Sequence, residues 1–312
     1  MAERKRGKQW VRVGYGVHRP AAAADPLAAA LLAWLPHLPG SAVFTGLTAL
    51  QAHHLWLPPL PVDLPYFIAM GGRRGEVKAR RPELVVSRHE KAPRRLTWKD
   101  VPIAPIPDAL LACARWMGLL DLVVMVDCAL HRGLATEAEL LEVAGPRRKG
   151  APRLREAVGL GDSRAESIWE GVLRMFHHAV GVAVIPQVTI LDPSGYFVAR
   201  ADLLLEGTRT LHEYDGASHR TADGQRSDLG RDRALLAAGY RRRGYTSHDL
   251  IRHPGMMLAE CDETLGRRHD PDRLLAWEAL LRESCFTRAG QRRLMRRLGR
   301  AELVADGNRK VT

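Results

Sequence analysis

The stretch from Arg200 to His219 limits the fold more than any other part of the 312-residue chain. Apolar residues from Phe197 to Leu205 and the β-prone run Thr208 to Tyr214 predict two strands, with a glycine-containing turn at Glu206-Gly207-Thr208-Arg209. With Gly207 and Thr208 as the loop residues, Asp202 lies directly opposite Glu213, their Cβ atoms about 5 Å apart. Period-two alternation puts Asp215 on the face of Glu213 and turns His212 and Tyr214 to the other. Three acids then crowd one small area, and Asp202 interrupts an otherwise apolar run.

Carboxylates that close share a proton or hold a cation. A hard divalent ion with oxygen ligands, Mg²⁺ or Mn²⁺, suits Asp202, Glu213 and Asp215. The plainer alternative makes Asp215-Gly216 a strand-ending turn and sets Asp202 and Glu213 at a solvated sheet edge, paired with arginines.

The hairpin sits in a larger α/β pattern. Ser163-Arg-Ala-Glu166 matches a capping box and predicts a helix from Arg164 to Val180. Glu170 lies one turn further on, among Ile168, Trp169, Val172, Leu173 and Phe176, with a salt bridge to Arg174 as its structural alternative. A strand from Val184 to Leu191 and the turn Asp192-Pro-Ser-Gly195 lead into the hairpin. An arginine-rich helix from Asp228 to Ala238, a strand from Tyr240 to Thr246 and a short helix from Ser247 to Arg252 follow, predicting a mixed sheet flanked by helices.

Upstream, Trp10 to Val17 reads as a short strand and Asp25-Pro26 as a helix start. A second helix spans Thr45 to Leu55, where His53 and His54 are assigned to packing. Two β-like runs, Pro65 to Met70 and Leu84 to Arg88, flank a hairpin-style basic loop at Gly71 to Gly75. Three helices fill Asp108 to Ala144, punctuated by Gly118, Gly133 and Gly145. The basic loop Pro146 to Gly150 marks the expected boundary between a mostly helical α+β domain, 1–150, and a second domain, 151–266, that should fold alone. A helical extension, 267–312, ends the chain. Its first helix turns Leu274, Leu275, Trp277, Leu280 and Leu281 inward, and its second offers Arg292, Arg293, Arg296 and Arg297 to phosphate or solvent.

A formal net charge of +12 points toward a polyanion, although arginine-rich composition alone also supplies charge. No window is long and apolar enough to cross a membrane and the N-terminus lacks a signal-peptide pattern, so a cytoplasmic protein with no membrane partner is expected. Cys113, Cys128, Cys261 and Cys285 are widely spaced without a Cys-x-x-Cys pair and read as small buried hydrophobes.

The order Glu170, Gln187, Arg200-Ala-Asp202, Glu213-Tyr-Asp215-Gly216, His219 and Gly239-Tyr240 resembles the PD-(D/E)xK restriction-endonuclease-like superfamily over about residues 163 to 265. Within it the very-short-patch-repair-like endonuclease domain is most similar. The resemblance implies a restriction-endonuclease-like sheet and Mg²⁺-dependent hydrolysis of DNA, with Asp202, Glu213 and Asp215 at the metal and Glu170 joined through water. Asp215 stands where the family pattern has lysine, and no lysine occurs between Lys149 and Lys310. Gln187, Arg200 or His219 would take over its work, with His219 as general base or leaving-group acid. Arg200, Arg231, Arg233, Arg241, Arg242 and Arg243 would hold the DNA backbone. The N-terminal part, with Tyr15-Gly-Val-His-Arg19, is similar to abortive-infection type IV antitoxins with a winged helix reduced to its last strand, which implies a toxin or defence-system partner. The rival expectation is a catalytically inactive DNA-binding or antitoxin-like regulator keeping the nuclease fold.

Overall fold

The computed structural model of the chain describes residues 9–71, 81–216 and 222–300, with the backbone only for 222–229. It opens with a hairpin, β1 (Trp10–Gly14) and β2 (Val17–Pro20), where the sequence predicts one strand. Gly16, at φ +71°, lets the chain reverse after Tyr15. Helix α1 (Pro26–Trp34) starts as its sequence predicts: Asp25 accepts the Ala28 amide at 2.9 Å and proline takes a first-turn position.

A five-stranded sheet follows, built from β3 (Val43–Phe44), β4 (Tyr66–Gly71), β5 (Leu84–His89), β6 (Leu96–Trp98) and β7 (Val101–Ile103), in the order β5-β4-β3-β7-β6. Helix α2 (Gly46–Ala52) joins β3 to β4. The two runs flanking the basic stretch pair in parallel, Tyr66 with Leu84 through Gly71 with His89. Their connection is therefore a crossover and not the expected hairpin; residues 72–80 lie outside the described residues. Strands β6 and β7 carry no legible signal, because each has three residues and Lys99 and Asp100 form the turn at positive φ where glycine is the usual clue.

The helices α3 (Ile106–Cys113), α4 (Leu119–His131) and α5 (Glu137–Val143) come where the periodicity predicts them, and α6 (Ala151–Gly159) follows. Helix α7 (Ile168–Ala179) starts four residues later than expected. Its cap is Ser167, whose hydroxyl accepts the Glu170 amide at 3.2 Å, and not Ser163. Both serines begin a Ser-x-x-Glu pattern, and the second wins because the buried apolar run starts just after it.

A second, mixed sheet has the order β11-β10-β9-β8. Strands β8 (Val184–Leu191), β9 (Phe197–Leu205) and β10 (Thr210–Tyr214) form an antiparallel meander, and β11 (Arg241–Tyr245) lies parallel to β10. Leu211 faces Leu204 and His212 faces Leu203, the predicted register. Helix α8 (Ala222–Ala237) begins six residues before the expected Asp228. It covers one face, where Leu235 and Ala238 pack with Leu211, Ala199 and Ala201, while α7 meets the sheet through β8 and β10. The chain closes with α9 (Ser247–Arg252), α10 (Pro254–Thr264), α11 (Leu274–Glu283) and α12 (Arg288–Arg297). Among the described residues no helix is long and apolar enough to cross a membrane.

One hydrophobic core runs across residue 150 and into the C-terminal helices. It joins Leu122, Val123 and Val126 of α4 to Val172 and Phe176 of α7, Leu203 of β9, Trp277 of α11 and Leu294 of α12. Two buried acids tie the same elements. Asp121 accepts the Ser284 hydroxyl and the Cys285 amide, and burial pushes its carboxyl up to about 6. Asp127 accepts both contacts of Arg174 Nη2 at 2.9 and 3.0 Å and the Asp162 amide at 2.7 Å. Gly171 lets these helices close, since a Cβ there would stand 2.8 Å from Asp127 Oδ2. Trp277 and Leu281 fill the inner side of α11, whereas Leu275, expected inside, is 61% exposed. On α12, Arg293 and Arg297 both pair with Glu283, and Arg297 also donates to the Trp116 carbonyl, so half of its expected phosphate-facing set holds the helix in place.

Residues 151–312 expressed alone lose α4 and with it the partners of α7, α11 and Arg174. Calorimetry should give no cooperative transition for that fragment, against a single cooperative one for the whole chain. A sharp fragment transition at the melting temperature of the whole chain would contradict this coupling.

Candidate functional site

Strand β10 divides the chemistry between the two faces of its sheet. Glu213 reaches Arg231 of α8 at 2.7 Å, on the face of Leu211. His212 meets His177 of α7, and Tyr214 stacks on Trp169 of α7 with ring centroids 5.5 Å apart. The expected turning of His212 and Tyr214 away from the acids therefore holds.

The register sets Asp202 across from Glu213, and Asp202 Oδ2 accepts the Tyr214 amide at 2.9 Å. Burial pushes the Asp202 carboxyl up to about 7; the carboxylates of Glu170 and Glu213 add to the rise, against the Tyr214 amide and the Arg231 guanidinium. Glu170 belongs to the first turn of α7, and its own amide is the one that the Ser167 cap accepts. Its Oε2 accepts the Glu166 amide and Gln187 Nε2, both at 2.9 Å. Gln187 occupies the rung opposite Asp202, between the pairs Pro186–Leu203 and Val188–Ala201. Its φ of +53° is unusual for a non-glycine residue inside a strand and costs of order 1 kcal/mol or more. The bond to Glu170 accompanies that strain.

Glu213 is 3% exposed, with Oε1 on Arg231 and Oε2 on Arg242 Nε at 2.5 Å. Arg242 also binds Asp215 and comes within 3.6 Å of Asp232. Burial works against the Arg242 charge, and these three carboxylates outweigh it. Asp215 folds over the backbone of β11 at Gly244, the partner of Glu213; a Cβ there would stand 1.7 Å from Asp215 Oδ2. Arg200 pairs with Glu166 and gives its carbonyl to Arg231, and Arg243 pairs with Glu260 at 3.0 Å. Arg233 and Arg241 are exposed. His219 lies outside the described residues.

The carboxylate donor set suits a hard ion such as Mg²⁺ or Mn²⁺. Among the described residues neither Asp202 nor Glu170 has a cationic side chain in salt-bridge contact, and both fit such an ion. Glu213 fits once a guanidinium releases one of its oxygens. Asp215 fits less well while it lies against Arg242 and Gly244.

Beneath the other face of β10 is a polar cluster that the sequence does not disclose. His177 Nδ1 bonds the Leu173 carbonyl at 2.8 Å, and His177 Nε2 lies 2.9 Å from His212 Nδ1. Tyr245 Oη lies 3.4 Å from His212 Nε2 and donates to Glu260 Oε2 at 2.6 Å. Cys261 joins them: its Sγ and one imidazole nitrogen each of His177 and His212 lie within 4.8 Å of one another, all in buried side chains. Burial holds His177 down to about 4 and His212 to about 2, and pushes the Cys261 thiol up to about 12. The only signal in the sequence is a histidine at a core-facing position of each element.

A basic concavity of about 670 Å³ lies apart from both clusters, lined by Arg94, Arg115, Arg148 and Lys149 with Asp108 among them. Arg115 donates to Ser87 Oγ at 2.6 Å, and His89 is held below its ordinary value by burial and then by Arg148 and Arg115. Comparison of the chain with protein-family models, with curated proteins and with solved structures finds no match.

The Asp202 carboxyl, near 3.9 in an unfolded chain, is raised in the folded one, so the folded state binds the proton more tightly and loses stability as pH rises from about 4 through 7. Asp202→Asn removes this loss. Its melting temperature relative to the parent should climb by a few degrees between pH 4 and pH 8. The other raised acids cancel in that difference, and a flat difference across the range would show that Asp202 is not held in the neutral form.

Proposed function

We propose that the chain is a metal-dependent endonuclease that hydrolyses DNA phosphodiester bonds at the cluster of Glu170, Asp202 and Glu213. The observation that carries this reading is Asp202, a half-buried carboxyl set between two other carboxylates and without a salt-bridging cation among the described residues. Such a site gains most from a divalent ion, which neutralises like charges that otherwise oppose ionisation. When bound, Mg²⁺ or Mn²⁺ supplies a water of lowered pKa and offsets the charge that builds on the scissile phosphate. Asp202 and Glu170 would hold the ion, with Glu213 joining as it gives up a guanidinium. Gln187, already directed at Glu170, would orient the water. Arg231 and Arg242 would pass from carboxylate to phosphate as DNA enters, which positions the backbone without reading sequence. The net charge and the basic concavity favour a polyanionic substrate.

A second reading rests on Arg242. It supplies a positive charge between Glu213 and Asp215 in a pattern that otherwise calls for lysine, and it neutralises both acids without any metal. On that reading the protein is a DNA-binding or antitoxin-like regulator working beside a toxin or defence partner in the cytoplasm.

The test is cleavage of plasmid, single-stranded and mismatched DNA with Mg²⁺, with Mn²⁺ and with chelator. The nuclease reading expects metal-dependent cleavage, lowered by about 10³-fold or more in Asp202→Asn and in Glu213→Gln, since a lost metal ligand forfeits several kcal/mol of transition-state stabilisation. Equal DNA binding in metal and chelator with no cleavage would favour the regulator, and cleavage unchanged in Asp202→Asn would remove the acid cluster from the mechanism.

A further inference from the structure

The cluster under the opposite face of β10 is more than a buried histidine pair. Four contacts run in a line: Leu173 carbonyl to His177, His177 to His212, His212 to Tyr245, and Tyr245 to Glu260. Each needs one proton. Among the described residues no carboxylate touches either ring, so the imidazoles are neutral and bring two protons, and the phenol brings one. With Glu260 paired to Arg243 and accepting from Tyr245, three protons serve four contacts.

The geometry reveals which contact goes without. The Leu173 carbonyl can only accept, so it takes the proton on His177 Nδ1 and leaves Nε2 with a lone pair. His212 must then donate from Nδ1, and its Nε2 also carries a lone pair. Tyr245 gives its only proton to Glu260 at 2.6 Å, so its 3.4 Å approach to His212 sets two acceptors against each other. Low-dielectric surroundings make such a mismatch costly.

We propose that His177 Nε2, His212 Nδ1 and Cys261 Sγ form a binding site for a thiophilic d¹⁰ metal ion, Zn²⁺ or Cu⁺. Imidazole and thiolate are the donors such ions prefer. Ligand atoms at the usual 2.0 to 2.3 Å from one ion stand roughly 3.3 to 3.8 Å apart, so the 2.9 Å nitrogen–nitrogen contact opens by about half an ångström. The protons then balance. Cys261 loses its thiol proton to solvent, one per ion bound. The proton on His212 Nδ1 transfers to Nε2, where it is donated to Tyr245 Oη, and Tyr245 continues to donate to Glu260. His177 keeps its bond to Leu173. Both ligand histidines thus gain fixed hydrogen-bond acceptors behind them, the arrangement that orients metal-bound imidazole. The ion would tie three elements at one point: α7 by His177, β10 by His212 and α10 by Cys261. Water or an empty position completes the coordination. The site lies on the sheet face opposite Asp202 and does not depend on the nuclease reading.

The test starts with the whole chain, purified after expression with added zinc or copper and dialysed against free metal. Elemental analysis should find one ion per chain, and the metal present distinguishes Zn²⁺ from Cu⁺. X-ray absorption at the metal edge should fit two imidazole nitrogens and one sulfur. An all-oxygen or sulfur-free shell would overturn the proposal and place the ion elsewhere, and so would a folded chain that retains no ion under either condition. Co²⁺ exchanged into the chain should give a thiolate-to-cobalt charge-transfer band that Cys261→Ser loses and Asp202→Asn keeps. If Cys261→Ser does not fold, the absorption measurement on the unaltered chain still decides the ligand set.

Discussion

One buried ion pair, Asp127 with Arg174, fixes the placement of α7, and the rest of the structure depends on that placement. Asp127 is 1% exposed, and Gly171 removes the side chain that would otherwise separate the two helices. Burial and the guanidinium pull the carboxyl in opposite directions; burial raises it only to about 6, which leaves the pair ionised at neutral pH. Breaking such a pair by removing one partner typically costs about 3–5 kcal/mol, a large part of the stability of a domain. Glu170, Trp169 and His177 all ride on α7, so the pair positions the acid cluster, the stacking on Tyr214 and the histidine cluster together.

Charge compensation differs among the acids of β9 and β10. Glu213 and Asp215 are neutralised by arginines, whereas Asp202 and Glu170 rely on amides and on Gln187. A guanidinium fork satisfies a carboxylate through directed hydrogen bonds, but a divalent ion adds a second charge and open coordination positions. The arginine-paired half of the site is therefore complete as it stands, and the Asp202 half is the part that no salt bridge among the described residues compensates. Of the alternative that paired Asp202 and Glu213 with arginines at a solvated edge, the arginine pairing appears at Glu213, which is buried on an inner strand.

Local chemistry made much of this legible. The Gly207 turn and the alternation around it give the register of β9 and β10, and the cap-and-proline pattern at Asp25-Pro26 locates α1. Strand direction has no local signature, so nothing within Tyr66–Gly71 or Leu84–His89 indicates that they run parallel. Overlapping Ser163 and Ser167 patterns could be separated only by which apolar run is buried. The continuous core across residue 150 was hidden because α4 reads as an ordinary buried helix whatever it packs against. The histidine cluster joins three elements spread over residues 177 to 261, a relation that no spacing encodes.

Carboxylates on one side of β10 and imidazoles on the other make the length of the preceding turn a matter of chemistry. Because strand side chains alternate with period two, gaining or losing one residue near Gly207 would rotate the whole strand by half a turn about its axis. Glu213 would then point toward Cys261 and His212 toward Arg231. A single-residue indel could thus erase both polar clusters at once while leaving composition and strand propensity almost unchanged. Chains descended from this one should therefore vary freely in the residues of that turn and hardly at all in their number.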